Sequence, residues 1–181
     1  MRGRYTSSNP VLTDNQDWPI RVDAAGRAIV TTSANLISVT PVCDTNAYGA
    51  GDVLFDRTLI AGATSVPDAA VILDSIVVLD EDDQTAANLT LVFLDADVTL
   101  GTANSAPSIS DTNARNIIGA VVVASGSFID IGGAKVASVG NLGLILKPAT
   151  GTSNIYVAGF TAGTPTQTAS GIKLRLGFRA L

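Results

Sequence analysis

The stretch Thr40–Asp56, TPVCDTNAYGAGDVLFD, predicts how the chain passes from one β-strand to the next. An apolar run at 36–39 precedes it, and a second apolar run begins at Val53. Between them lie Pro41, three Asx residues and two glycines, which are the residues that favour turns over helices. We therefore expect a turn-rich connection between two strands, in which Gly49 and Gly51 provide backbone freedom and Tyr48 packs or donates one hydrogen bond.

The composition predicts one soluble domain with more apolar surface than a monomer of this size hides. The chain has 181 residues, 46% hydrophobic and 15% charged, with a mean hydropathy of +0.37. Its longest apolar run, near 117–124, is far shorter than the ~20 residues of a membrane-spanning helix. No membrane partner is therefore expected. Because a monomer of this size cannot bury all of its apolar surface, we expect the chain to form a homo-oligomer.

The chain has no histidine and one cysteine, Cys43. This inventory excludes His-based triads, Cys-His nucleophile pairs, structural zinc sites and disulfide frameworks. The first ten residues, MRGRYTSSNP, contain no apolar signal region, which predicts synthesis in the cytoplasm. Cys43 is expected to be a small buried residue, and no cofactor is expected.

Charge is distributed unevenly along the chain. Residues 61–130 contain ten acidic residues against Arg115 alone, whereas residues 131–181 contain five basic residues and no acidic one. These charges either neutralise each other within one fold or form complementary faces between subunits or with a partner. The acidic balance and the few aromatic residues argue against nucleic acid as a partner.

Residues 1–19 are polar, include two prolines and show no periodicity, which predicts an extended N-terminal arm before a single domain at 20–181. Trp18 is a candidate anchor for the arm, although burial in the core is an equal alternative. The candidate interface residues in the arm are Arg2, Arg4, Tyr5 and Trp18.

Strand patterns fill most of the remaining chain. The predicted strands are 27–32, 36–40, 53–60, 70–79, 88–94, 116–124, 127–131, 142–147, 155–160 and 172–179. The run 70–79 is apolar at both parities, which favours a strand covered on both faces, and with 88–94 it resembles a hairpin. Residues 111–115 are expected to form one helical turn capped by Ser110 or Asp111. The final strand alternates strictly between apolar and polar residues.

This pattern of eight to ten strands with short turns predicts an all-β fold. It is typical of an antiparallel β-sandwich, with a jelly roll favoured as its topology.

The sequence gives only weak evidence for a catalytic or metal-binding site. The acidic loop 80–83 lacks the Gly and Glu positions of an EF-type calcium loop, although a looser metal site stays open. Turn aspartates that bond their own backbone are commoner than the paired carboxylates of a glycosidase, for which the candidates are Asp44, Asp52, Asp95 and Asp97. Three further patterns are not supported by their sequence context. The spacing of Ser138 and Lys135 does not indicate a catalytic pair, and the glycines at 49 and 51 lack the third glycine and the helix of a dinucleotide-binding loop. The glycosylation sequon at Asn88 has no secretory signal to accompany it. We expect no enzyme.

Several segments taken together resemble the head decoration, or cement, proteins of tailed bacteriophages. The resemblance runs from about residue 35 to the C-terminus and does not cover the arm. The segments that carry it are 44–54 (DTNAYGAGDVL), 91–94 (LVFL), 101–111 (GTANSAPSISD), 154–157 (NIYV), 163–166 (GTPT) and 174–178 (LRLGF).

The resemblance implies a β-sandwich that coats the exterior of the virion capsid as a homotrimer, with the major capsid protein as its partner. The candidate contacts are residues 1–19 and the basic stripe of Lys173, Arg175 and Arg179. The candidate trimer seam comprises the strands near Ile72–Val78 and Ile117–Val123. The alternatives are a carbohydrate-binding sandwich of the tail or fibre, and another minor structural protein of the virion.

Overall fold

The computed structural model describes residues 34–181. The predicted arm 1–19 with its four candidate interface residues, the start of the predicted domain at residue 20 and the predicted strand 27–32 lie outside the described residues. The strands are β1 (Ala34–Val39), β2 (Val53–Ile60), β3 (Val71–Asp80), β4 (Leu89–Leu94), β5 (Ile117–Val123), β6 (Phe128–Asp130), β7 (Lys135–Val139), β8 (Leu144–Leu146), β9 (Ile155–Thr161) and β10 (Ile172–Ala180). One helical turn, α1 (Asp111–Ala114), precedes β5.

The strands form two antiparallel sheets. One has six strands in the order β1-β10-β3-β7-β6, with β8 also paired to β3, and the other has four in the order β2-β9-β4-β5. The pairs β4–β5, β3–β8, β2–β9 and β1–β10 are nested, as in one long hairpin folded at its middle. Rolling that hairpin up adds the pairs β10–β3 and β9–β4. This double-sheet arrangement is a jelly roll, and the predicted fold is confirmed.

Strand alternation places the core between the two sheets. In β10 the apolar residues Ile172, Leu174, Leu176 and Phe178 are buried, and the residues between them face outward. They meet residues of the other sheet such as Phe55 and Phe93, both fully buried. The period of two in the last strand therefore predicted correctly which of its faces lies in the core.

Three details of the sequence prediction are wrong. The strands β3 and β4 are not a hairpin, because β3 lies in the six-stranded sheet and β4 in the other. Similar length and apolar character do not specify pairing, and residues 81–88 cross the end of the sandwich instead. Strand β7 was not predicted, since KVASV has little apolar character. On β3, the outward residues Ile72, Val77 and Leu79 are only partly buried, so its second face is incompletely covered.

The predicted helical turn is confirmed. Ser110 is its N-cap, and its side chain accepts a hydrogen bond from the backbone N–H of Asn113 at 3.2 Å. This bond satisfies one of the free N–H groups at the start of the turn.

The stretch 40–56 is a turn held by side chains. Tyr48 is buried, and its hydroxyl donates to the carbonyl of Leu54 at 2.8 Å while accepting from the N–H of Asp44 at 2.6 Å. The Asp44 carboxylate accepts from the backbone N–H of Asn46 at 2.8 Å and from the side chain of Asn104 at 3.1 Å. Burial raises the pKa of Tyr48 to about 12. The motif that leads the family resemblance is therefore structural.

The two glycines of this stretch have different roles. Gly51 has φ +92°, a left-handed conformation that glycine adopts without strain. Gly49 lets the Asp52 carboxylate approach, because a Cβ at residue 49 would lie 2.9 Å from Asp52 Oδ2. That carboxylate accepts the N–H of Gly49 at 2.7 Å.

Candidate interaction surface

The centre of the outer face of the four-stranded sheet is covered by the chain itself. The connection 95–110 lies over it and forms a second apolar cluster, separate from the core between the sheets. The buried members of this cluster are Val92, Leu94, Leu100 and Ala158, with Val98, Ile109, Tyr156 and Phe160 packed against them. The covered part is thus an internal surface of the folded chain, whereas Leu59, Ile117 and Val122 on the same face are 44%, 41% and 55% exposed.

Asp56 on β2 holds this connection in place. Its carboxylate accepts the N–H of Leu100 at 3.0 Å and the hydroxyl of Thr99 at 2.8 Å, and it pairs with Arg57 at 2.6 Å. Arg57 also pairs with Asp97. Burial acts to raise the pKa of Asp56, but these hydrogen bonds outweigh burial and leave the pKa below its ordinary value.

The outer face of the six-stranded sheet is open in the described part of the chain. Leu36, Ile129 and Ile145 on it are 65%, 65% and 59% exposed. We call this surface the basic–apolar face and define it by the outward residues of the sheet, namely Leu36, Ile72, Val77, Leu79, Ile129, Val136, Ile145, Lys173, Arg175 and Arg179. Its apolar residues extend across the sheet in register, since Ile129 is opposite Val136 and Val136 is opposite Leu79.

The predicted basic stripe lies on this face, but most of its charge is compensated. Lys173 pairs with Glu81 at 2.7 Å, and Arg179 makes two hydrogen bonds to Asp74 at 2.8 and 3.1 Å. The hydrogen bond from Arg179 lowers the pKa of Asp74.

Arg175 differs from its two neighbours. It is exposed, lies opposite Ser38 and Val77, and has no ion pair with any residue in the described range. Among residues 34–181, no acidic side chain neutralises its guanidinium.

Sequence reasoning missed the apolar residues around Arg175. Leu36 and Ile129 were treated as parts of strands without a face being assigned to them. The sequence did contain a signal, because β1 has apolar residues at both odd and even positions. Ile37 and Val39 face the core, so Leu36 between them and the preceding residues must point away from it.

The two strands of the predicted seam lie in different sheets. Strand β3 is central in the six-stranded sheet, and its outward residues share the basic–apolar face with Arg175. Strand β5 is at the edge of the four-stranded sheet. These two segments therefore lie on different surfaces of the monomer, and because a cyclic trimer joins two different surfaces of neighbouring subunits, the seam stays a prediction.

A small cavity with a mainly apolar lining lies at the end of the sandwich. It has a volume of about 40 Å³, and its lining includes Asp80, Thr161 and Gln167, all three buried. The Asp80 carboxylate accepts the N–H groups of Asp82 and Gln84 at 3.1 and 3.0 Å. Burial raises the pKa of Asp80 despite these hydrogen bonds. The cavity has room for one water-sized group, and Asp80 organises the turn after β3.

Most of the other candidate chemical groups have a hydrogen-bond or ion-pair partner, although Oδ1 of Asp95 is buried without one among the described residues. Asp52 binds its own turn, Asp97 pairs with Arg57, and Lys135 pairs with Asp83. Within residues 34–181, no three His, Cys, Asp or Glu residues are grouped to hold a metal ion. In the same range, no helix is long and apolar enough to cross a membrane. Tyr48 is buried and Tyr156 packs in the second cluster, so neither ring forms a free platform for a sugar.

The chain matches no family model and no curated protein. Among solved structures it is similar to desmodium yellow mottle tymovirus, with a TM-score of 0.28 and 10% identity over 97% of this chain and 95% of that one. It is also similar to a marine algae virus of the order Picornavirales, with a TM-score of 0.26 and 10% identity over 98% and 83% of the two chains. Scores this low carry no functional argument, and the jelly-roll assignment rests on strand pairing.

Proposed function

We propose that this protein is a capsid cement protein that binds the outer surface of an assembled phage head and stabilises it without catalysis. The observation that carries the proposal is the difference between the two outer faces of the sandwich. Residues 95–110 cover the centre of the first face, whereas the second exposes apolar side chains together with Arg175, which has no ion pair among residues 34–181. An exposed apolar patch with a charged residue is typical of a protein-binding surface.

The resemblance to head decoration proteins supports the choice of partner, because a jelly roll alone is compatible with several functions. A cement protein needs to bind the assembled lattice and not the free capsid subunit. Binding to one state alone stabilises that state by mass action. The basic–apolar face provides broad, shallow contact of the kind that two neighbouring capsid subunits offer together. The trimeric state implied by the resemblance remains a prediction, which the mass in solution tests.

The test is co-sedimentation with expanded heads assembled from the major capsid protein of the same phage. Arg175→Glu and Ile129→Asp alter the basic–apolar face, whereas Arg115→Glu and Val66→Asp make matched changes at exposed positions elsewhere. We expect the first pair to lose binding and the second pair to retain it. Binding by all four variants, or equal binding of the wild type to unassembled subunits, would contradict the proposal.

A further inference from the structure

The end of the sandwich at which β3 and β9 terminate is strongly acidic. The connections 40–52, 81–88, 131–134 and 162–171 lie at this end. Together with the adjoining strand ends, they contain seven acidic residues and only two basic ones. The acidic residues are Asp44, Asp52, Asp80, Glu81, Asp82, Asp83 and Asp130, and the basic residues are Lys135 and Lys173. A charge distribution of one sign attracts cations and repels anions.

The cavity at this end contains a buried carboxylate without a counter-ion. Asp80 lines the cavity and is 6% exposed. Lys135 is its partner in register on β7, but the ammonium group of Lys135 pairs with Asp83. Within residues 34–181, no basic side chain forms an ion pair with Asp80. A buried charge of this kind is unfavourable until a cation compensates it.

The same cavity is lined by a second group that lacks a partner. Gln167 is 4% exposed, and its Oε1 has no hydrogen-bond donor among the described residues. Its side chain forms a hydrogen bond with the Asp80 carboxylate. Because a carboxylate only accepts, the amide nitrogen donates there, which leaves Oε1 as an acceptor without a donor. A buried acceptor of this kind indicates a bound water or ligand.

The surroundings of Oε1 add negative charge. A Cβ at Gly171 would lie 2.7 Å from Oε1 of Gln167 and 1.7 Å from Oδ2 of Asp82, so these two oxygens converge beside Gly171. The carboxylates of Asp80 and Asp82 therefore flank an oxygen that needs a donor. A cationic donor satisfies both the hydrogen bond and the charge, whereas a neutral water satisfies the hydrogen bond only.

The rest of the lining distinguishes between the possible cations. It is largely apolar, and it includes Leu54, Ala86, Ala87, Leu89, Phe128 and Ile172. A Ca²⁺ ion takes six to eight oxygen ligands, which this wall does not provide. An alkylammonium combines a water-sized head that carries three N–H donors with methylene groups that pack on apolar side chains. The volume of about 40 Å³ fits that head, and the cavity is partly open to solvent, which leaves a path for the chain behind it.

We propose that this cavity binds a primary alkylammonium group, which donates to Oε1 of Gln167 and neutralises the carboxylate of Asp80. The ammonium belongs either to a free amine or to a lysine side chain of a capsid protein, and the chemistry of recognition is the same. The cavity lies at the end of the sandwich and not on the basic–apolar face. The proposal therefore goes beyond capsid binding by that face and does not depend on it.

The test is a titration of the full-length protein with n-butylammonium chloride, followed by ¹H–¹⁵N NMR. We expect saturable shifts of the side-chain amide of Gln167 and the backbone amide of Gln84, whose N–H bonds to Asp80. The neutral isostere n-butanol, and sodium chloride at the same ionic strength, should not produce these shifts.

Two variants connect the binding to the cavity. Asp80→Asn removes the charge, and Ala86→Leu fills the cavity while keeping every polar group. Each should raise the dissociation constant for n-butylammonium by about tenfold or more, since a hydrogen bond to a charged group or its space is lost. Asp111→Asn and Ala124→Leu make matched changes at exposed positions and should bind as the wild type does. Circular dichroism checks folding, and Ala86→Leu decides the test if Asp80→Asn does not fold.

Three results would overturn the proposal. They are the absence of saturable shifts, which would mean that the cavity holds water only, equal shifts with n-butanol or sodium chloride, and an unchanged dissociation constant in Ala86→Leu. Where binding is observed, co-sedimentation of Ala86→Leu with expanded heads identifies the source of the amine. Loss of head binding assigns the ammonium to a capsid lysine, and retention assigns it to a free amine. Failure of the titration leaves head binding by the basic–apolar face unaffected, so the two proposals fail separately.

Discussion

Residues 95–110 cover the centre of the outer face of the four-stranded sheet, whereas no described segment covers the outer face of the six-stranded sheet. On the covered face, Leu100 is 2% exposed and Asp56 binds the connection through its carboxylate. On the open face, Leu36 and Ile129 are both 65% exposed. Apolar side chains under the connection stabilise the folded chain, whereas those on the second face are covered by no residue of the range 34–181.

This difference separates two roles that look identical in a hydropathy profile. Both faces are built from apolar β-strands, and both carry arginine and aspartate near the apolar residues. Arg57 and Arg179 are paired with aspartates, but Arg175 has no acidic partner in the described chain. The distinction therefore depends on which part of the chain crosses each sheet, and on how the charges pair.

The largest expected effect comes from opening the covered face. Leu100→Ala should lower the free energy of unfolding by about 2–5 kcal/mol, because it leaves a cavity under the connection. Ile145→Ala on the basic–apolar face should change it by less than about 0.5 kcal/mol, since this side chain is 59% exposed. Urea denaturation measures both variants, and equal losses would remove the distinction between the faces.

A smaller effect is expected from Asp56→Asn. The substitution weakens the hydrogen bonds to Leu100 and Thr99, and should cost about 1 kcal/mol of stability. Asp111→Asn, at an exposed carboxylate, is the matched control. Hydrogen exchange at the Leu100 amide should become faster in the first variant only; unchanged exchange would show that Asp56 does not hold the connection.

The same substitution predicts a pH dependence. The folded-state pKa of Asp56 is lowered, so its stabilising contribution is present above the unfolded-state pKa of about 3.9 and is lost as pH falls through the folded-state value. The stability difference between the wild type and Asp56→Asn should therefore be constant near neutral pH and shrink in acid. Urea denaturation at several pH values measures it, and a difference that grows in acid would contradict the assignment.

The smallest effect on stability is expected on the open face. Arg175→Glu should change the free energy of unfolding by no more than about 0.5 kcal/mol, because the side chain is exposed and has no ion pair in the described chain. Binding of the wild type to expanded heads should weaken as salt is raised, and the variant should lose this salt-dependent component. A variant that unfolds more easily would indicate that Arg175 stabilises the domain itself.

Local patterns predicted much of the fold from the sequence. The bounds of β2 agree with the predicted strand 53–60, and the alternation in β10 identified its buried residues. Ser110 was correctly expected as a helix cap. Each of these features depends on residues close in sequence, which is why periodicity and capping chemistry were sufficient.

Features that depend on distant residues were not predictable in the same way. The assignment of β3 and β4 to different sheets depends on long-range pairing, as does the Asp74 partner of Arg179, 105 residues away in sequence. The exposed position of Ile129 depends on its pairing with Val136 and on the absence of a described segment above it. Strand β7 has too little apolar character to be recognised outside its sheet.

The most direct test of the account is hydroxyl-radical footprinting of the protein, free and bound to expanded heads. The account predicts that Leu36, Ile129 and Ile145 become protected on the head, while Leu59 and Val66 keep the reactivity of the free protein. Protection of Leu59 and Val66 with unchanged labelling of the other three would contradict it, because the capsid would then bind away from the basic–apolar face.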